Sequence, residues 1–367
     1  MRIFHVTAED FTELPELPVA LPPEGFLWVG SGRREFEVQR DEIQSGLQRW
    51  TGARLVDLHI SDLLNNQLPS HFEDTSWYDI LVFRRLATTP GGKALFIDDS
   101  HGTMASAQRA LESIDTSPVG FAVFDRVLLT VHPTDCAVRE FFANRLAQHA
   151  AEGDLRGNAR LPSSPAELML RMVNHMVDSY LELRRLLTRQ LTTLQTELLR
   201  PRSHFHDWQL LLGSRNALNS LEDTCEDQRA AIQEWIDALD EWPAEIDKAA
   251  KRERELLRVR SRDVLEHIER VLTHVRRLES SAEAAVQMHF SALSHRTNDI
   301  MRTLTVLTAI FLPLNLITGI FGMNFDVIPL IHATTGFWVA LGIMGVVGIS
   351  LGAFFWRKRY LGTHVRP

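Results

Sequence analysis

The chain has 367 residues, 23% of them charged, with a formal net charge of −8 and a mean hydropathy of −0.10. The acidic balance speaks against nucleic acid as a partner. Two cysteines, Cys136 and Cys225, lie far apart without CxxC spacing, which excludes a disulfide framework or a zinc finger and predicts two buried thiols.

Met1–Val6 lacks the cationic and apolar regions of a secretion signal, and Glu9 and Asp10 follow early, so the N-terminal part is expected to stay in the cytoplasm. Residues 1–150 read as an α/β domain. Strand-like runs rich in Val, Ile, Phe and Leu are Arg2–Val6, Gly25–Val29, Asp79–Phe83, Ala94–Ile97, Val119–Phe124 and Val127–Val131. Asp125-Arg126 predicts a hairpin turn between the last two. Helices are predicted near Arg40–Thr51, Ala105–Ile114 and Thr134–Gln148, and Ala151–Pro165 has the composition of a linker.

Residues 163–243 read as an antiparallel helical pair. Ser164, Pro165 and Glu167 predict a capped start for one helix that runs to about Leu199 and stops near Pro201. A second is predicted from Asp207 to Trp242, before Pro243. His204, His206 and Asp207 can be drawn as a metal site, but without a nucleophile–base pair or a phosphate loop they read as a cap and a solvated loop, and no enzyme is expected.

Residues 244–303 predict a long stalk helix, because no Gly or Pro occurs from Ala244 until Pro313. Apolar or small residues recur every seven positions in two series. One is Leu257, Val264, Val271, Leu278 and Ala285; the other is Ser261, Ile268, Val275, Ala282 and His289. That 3.5-residue period favours supercoiled packing against like helices. Joined to the apolar run that follows, the helix would have about 75 residues and be about 110 Å long.

Two apolar runs, 304–321 and 337–355, are each long enough to cross a hydrocarbon core of about 30 Å. The turn between them, 322–336, has no Lys or Arg. Arg296 and Arg302 precede the first run, and the basic tail 356–367 opens with Arg357, Lys358 and Arg359 after Trp356. The positive-inside rule puts both ends in the cytoplasm and the turn outside, with Trp338 and Trp356 at the interfaces. The fold class is therefore an α+β cytoplasmic domain with a long-helix stalk and two C-terminal transmembrane helices.

Carrying the heptad register into the first span predicts one face of Asn298, Met301, Thr305, Thr308, Leu312, Asn315 and Gly319, with Val306, Ile310, Leu314 and Ile317 opposite. Polar groups inside a bilayer face protein or a water-filled path. A two-span subunit cannot enclose a pore, so a polar seam of this kind requires a homo-oligomer about a central axis. The second span, apolar and glycine-bearing, suits packing or lipid contact.

The segment His289–Leu330 resembles the CorA-type divalent-cation transporters. The matching residues are Arg296-Thr297-Asn298, Met301, Leu304-Thr305, Ile310-Phe311, Pro313-Leu314, Gly319-Ile320 and Gly322-Met323-Asn324-Phe325. His59–Leu64 and Val127–His132 resemble two further segments of that family. The resemblance implies a funnel-shaped homopentamer in the inner membrane that moves Mg2+, with Co2+ or Ni2+ as further cargo and no cofactor. It implies an outer ion ring at Gly322, Met323 and Asn324, followed inward by Gly319, Asn315, Leu312, Leu304 and Asn298. Such a ring would hold a hydrated ion by its water shell. Gly322 would permit a left-handed helix end, Pro313 would bend the pore helix, and Leu304 and Leu312 would form apolar collars. Asp263 matches one regulatory metal ligand of the family, whereas the partner position, Thr88-Thr89, carries no acid. The outer turn reads Val327-Ile328-Pro329-Leu330 without the family's frequent Glu, leaving Asp326 and His332 as its polar groups. Both departures keep the zinc-transporting, proton-coupled ZntB branch open. A membrane-anchored coiled-coil sensor without transport is the other alternative; it would need a span but no polar seam.

Overall fold

The computed structural model describes residues 1–88, 114–134, 136–152, 160–199, 208–242, 247–323 and 335–358. The chain divides into two compact units, Met1–Glu283 and Ala284–Pro367.

The first unit is built on a seven-stranded sheet in the order β2-β1-β3-β9-β8-β5-β4. Its strands are β1 (Arg2–Val6), β2 (Phe11–Leu14), β3 (Phe26–Gly32), β4 (His71–Asp74), β5 (Asp79–Arg84), β8 (Pro118–Val123) and β9 (Val127–His132). Among the described residues, β3 and β9 pair in parallel and the other neighbours are antiparallel. The Asp125-Arg126 turn forms as predicted, with the Phe124 N–H donating to the Val127 carbonyl (2.9 Å). A separate two-strand ladder joins β6 (Ala87–Thr88) to β7 (Ile114–Asp115), so Ile114, expected as the last residue of a helix, lies in a strand. The rest of that helix and the run Ala94–Ile97 lie outside the described residues.

Strands β8 and β9 are buried along their whole length, which explains their unbroken apolar sequence. Alternate residues serve two layers. Phe4, Trp28, Leu81, Phe83, Phe121 and Leu128 face one core; Leu27, Val29, Ile80, Val82, Ala122 and Leu129 face the other. The second core is closed by α1 (Arg33–Val38), α2 (Arg40–Thr51) and α3 (Asp57–Leu64) through Phe36, Ile43, Leu47, Ile60 and Leu63. Helix α2 ends on Gly52 at φ 75°, whose N–H returns to the Gln48 carbonyl.

The first core is closed by α4 (Val138–Glu152), α5 (Pro165–Asp178), α6 (Tyr180–Leu199), α7 (Trp208–Glu241) and the first part of α8 (Lys248–Phe321). Helix α4 starts four residues later than its predicted start at Thr134. At the start of α5 the Ser164 hydroxyl accepts from the Glu167 N–H, and the Glu167 carboxylate accepts from the Ser163 N–H at 2.8 Å. The single helix expected from Pro165 to Leu199 is interrupted at Ser179. Its hydroxyl lies 2.6 Å from the Met176 carbonyl and 3.1 Å from that of Leu86, which ties the break to the end of the sheet.

Polar contacts fix the bundle directions. Arg215 meets Glu283, Arg276 meets Glu222, and the Trp235 indole donates to Ser261, so α7 runs antiparallel to α8. Thr188 meets His274 and Gln195 meets Ser281, so α6 runs parallel to α8 and antiparallel to α7. Both heptad series of α8 are buried from Leu257 to Leu278, with Ala282 half-buried. In this unit their packing partners are α6 and α7 of the same chain. Of the cysteines, Cys225 is buried as expected and Cys136 only half-buried.

In the second unit the rest of α8 and helix α9 (Gly336–Arg357) are both long and apolar enough to cross a membrane. Helix α8 continues through Pro313 without a break. Pro313 has no N–H, so the Ala309 carbonyl lacks its usual donor.

Candidate functional site

The predicted seam lies on the open face of α8. Asn298, Met301, Leu304, Thr305, Thr308, Leu312, Asn315, Gly319, Gly322 and Met323 are all exposed, Leu312 at 69%. Val306, at 2% exposure, is buried, and Ile310, Pro313, Leu314 and Ile317 are half-buried. Leu314 reaches Gly348 of α9, whose covered positions follow helical spacing through Gly336, Ala340, Met344, Val347 and Gly348. Small residues there let the helix backbones approach.

The register differs from the one expected. Steps of seven from Leu257 and Ser261 land on Val306 and Pro313 and on Ile310 and Ile317, the covered side. The seam occupies two other series. Asn298, Thr305, Leu312 and Gly319 continue Leu256, Asp263, Arg270, Arg277, Ala284 and Ser291. Met301, Thr308, Asn315 and Gly322 continue Val259, Glu266, Thr273, Ser280, Gln287 and Ser294. Every residue of both series is exposed. At about 100° per residue, these positions lie roughly half a turn from the packed ones.

The threonines on this face commit their protons to the helix. Thr305 donates to the Met301 carbonyl (2.8 Å) and Thr308 to that of Leu304 (2.9 Å). Each hydroxyl then presents only oxygen lone pairs outward, a surface suited to a cation or its water shell. At the helix end the Gly322 N–H returns to the Thr318 carbonyl at 2.9 Å. The left-handed turn expected at Gly322 is not formed, since Gly25 and Gly52 are the glycines with positive φ among the described residues. An added Cβ there would stand 3.1 Å from the Thr318 carbonyl oxygen. Asn324, Asp326, His332 and the segment 201–207 lie outside the described residues.

Asp263 belongs to a different constellation in the first unit. His267, one helical turn on, sits with Nε2 3.9 Å from the Asp263 carboxylate and Nδ1 3.4 Å from Asp178 at the end of α5. Asp178 and Asp263 line a cavity of about 400 Å3 with Asn174, His175 and His149. Arg145, Arg160, Arg171 and Arg260 form the rest of its polar wall. Asp178 and Asp263 thus both face His267. His267 was legible as an i, i+4 neighbour of Asp263; Asp178, 85 residues away in the chain, gave no local signal.

The fold is one seen in solved full-length structures. It matches the complete structure of the CorA magnesium transporter from Methanocaldococcus jannaschii with a TM-score of 0.70 and 19% identity, covering 97% of this chain and 98% of that one. The full-length CmaX protein matches with a TM-score of 0.64 and 17% identity, over 98% and 97% of the two chains. A profile of the CorA-like Mg2+ transporter protein family matches residues 96–359, and the chain belongs to that family. Among curated relatives, the cobalt/magnesium transport protein CorA of Thermotoga maritima is 33% identical over 100 residues, which is 27% of this chain and 28% of that protein. The magnesium transport protein CorA of Haemophilus influenzae is 30% identical over 101 residues, 28% of this chain and 32% of its own length. The chain thus spans about a third or less of the length of these curated relatives.

Proposed function

We propose that this protein is a divalent-cation transporter that carries Mg2+ across the inner membrane through the axis of a homopentamer. The observation that carries the reading is the open stripe of α8, where Thr305, Thr308, Asn315 and Gly319 interrupt an apolar segment on the side away from α9 and Asn298 continues the stripe before it. A span that only anchors has no need of such a face, and polar groups in a bilayer turn to protein or water. In this reading residues 1–303 and 356–367 are cytoplasmic, 304–321 and 337–355 span the bilayer, and 322–336 form the outer turn. Gly322, Met323 and Asn324 are the entry ring, and Leu304 and Leu312 are the apolar collars. The relatives' cobalt and magnesium names support a hard or borderline divalent cargo, extending to Co2+ or Ni2+. A second reading, Zn2+ transport coupled to protons, is favoured by the outer turn Val327–Leu330, which carries no acid.

The test is uptake by the purified protein in proteoliposomes, with Mg2+, Zn2+, Co2+ and Ni2+ in competition, with and without a proton gradient. Mg2+ uptake insensitive to the gradient is the expected result; gradient-driven Zn2+ uptake that Mg2+ does not inhibit supports the second reading. Asn324→Ala should abolish uptake while the oligomer stays intact on gel filtration. Normal uptake by that variant would remove Asn324 from the entry ring.

A further inference from the structure

A second metal-ligating constellation lies in the first unit, on the sheet edge farthest from β2. One carboxylate oxygen each from Asp62 and Glu73 and one ring nitrogen of His71 lie within 4.8 Å of one another. Local geometry brings them together. In β4, His71 and Glu73 alternate with Phe72, whose ring packs edge-on against Trp235 of α7. The alternation turns His71 and Glu73 to the opposite face, the side covered by α3. Helix α3 places His59 and Asp62 three residues apart, on one face.

The surrounding hydrogen bonds resemble those that prepare metal ligands. The His71 Nδ1 lies 3.2 Å from the Pro69 carbonyl, an acceptor only, so Nδ1 carries the proton and Nε2 keeps its lone pair. The Glu73 Oε2 is held by Nε2 of the buried His59 at 2.9 Å, while the other nitrogen of His59 meets the Tyr78 hydroxyl at 3.0 Å. Tyr78 in turn accepts from the Val56 N–H at 3.1 Å. One oxygen of Glu73 is therefore fixed by the protein and the other is left for a ligand. Glu73 is exposed and Asp62 and His71 half-buried, so solvent reaches the three ligands.

We propose that Asp62, His71 and Glu73 form a binding site for a borderline transition-metal cation such as Zn2+ or Co2+. One imidazole with two carboxylates suits these ions, whereas Mg2+ favours oxygen alone and keeps most of its water. Bonds of about 2.1 Å in tetrahedral geometry would need the ligand atoms about 3.4 Å apart. Side-chain rotations of about an ångström supply that closure. The proposal is independent of transport, so it stands or falls apart from the pore reading.

The test is Co2+ titration of the full-length protein in detergent, with millimolar Mg2+ present to fill oxygen-only sites. Wild type should bind one Co2+ per chain more than either His71→Gln or Glu73→Gln, with visible ligand-field absorption missing from both variants. Affinity at this site should fall at least tenfold in each. Equal Mg2+-resistant Co2+ binding by wild type and both variants would overturn the site, as would no such binding by wild type. Far-UV circular dichroism checks the fold; because Glu73 is exposed, Glu73→Gln keeps the comparison valid if His71→Gln misfolds.

Discussion

Asp79 opens β5 directly opposite Asp74 of β4, and Asp125 stands in the turn of the neighbouring hairpin. Burial, and then the charges of Asp74 and Asp125, push its carboxyl up to about 7. The unfolded chain ionises this group near the usual value of about 3.9. The folded state therefore retains a proton that the unfolded state has lost. The resulting stability is fully present below about pH 4 and is lost as pH rises through about 7. Asp79→Asn removes that loss. The gain in melting temperature of the variant over wild type should be larger at about pH 8 than at about pH 5; an equal gain at both would sink the assignment. None of this is visible in the sequence around Asp79. Asp74 is met through the β4–β5 register and Asp125 through the β8–β9 turn, so the cluster exists only once the strands are ordered.

At the scale of the element, α8 shows both what periodicity reveals and where it misleads. Leu257, Val264, Ile268 and Val275 are buried as their spacing demands. Ser261 fits the core for a reason that spacing alone does not give. Its hydroxyl accepts from the Trp235 indole at 2.9 Å and donates to the Leu257 carbonyl at 2.8 Å. Ser261→Ala leaves the indole N–H without an acceptor and should cost about 1–3 kcal/mol. Ile268→Ala should cost about 2–5 kcal/mol through the cavity it leaves. Thr273→Ala, on the open face, should stay within about 0.5 kcal/mol. Thermal melts of the purified protein rank the three; a Ser261→Ala melt equal to that of Thr273→Ala would refute the role of the hydroxyl. The register was misread at the apolar segment because the contrast inverts there. Along the stalk the packed side is apolar and the free side polar. In the span almost everything is apolar, so the polar positions stand out, and they belong to the free side. The short elements were missed for a related reason. The four residues of β4, His-Phe-Glu-Asp, bury only the phenylalanine, so an edge strand of this length shows no alternation to read.

The whole molecule places its acidic constellations on different elements, and they call for separate tests. Asp263 stands 60% exposed beside His267, which also meets Asp178. If cytoplasmic Mg2+ restrains transport through this cluster, Asp263→Ala should raise the Mg2+ concentration needed for half-inhibition of uptake by several-fold, and Asp178→Asn should do the same. Unchanged inhibition in both would remove the cluster from regulation. The general plan of the molecule was legible, since two apolar runs, a proline-free and glycine-free helix and a strand-rich N-terminal part are statements of composition and period. The meeting of Asp263 and Asp178 at His267 was not, because it depends on how α5 and α8 flank the same cavity.

The two faces of α8 also turn length into phase. Every residue inserted between Ala285 and Asn298 would rotate all that follows by about 100° about the helix axis. Seven inserted residues nearly complete two turns and restore both stripes. Two would turn the helix by about 200°, setting Val306 and Ile310 where Thr305 and Thr308 now stand. Insertions that restore the phase, such as about seven or eleven residues, should therefore be tolerated where two are not, even though most of the side chains in this stretch are exposed. A comparison of insertion lengths in this segment would detect a constraint that no single substitution there can reveal.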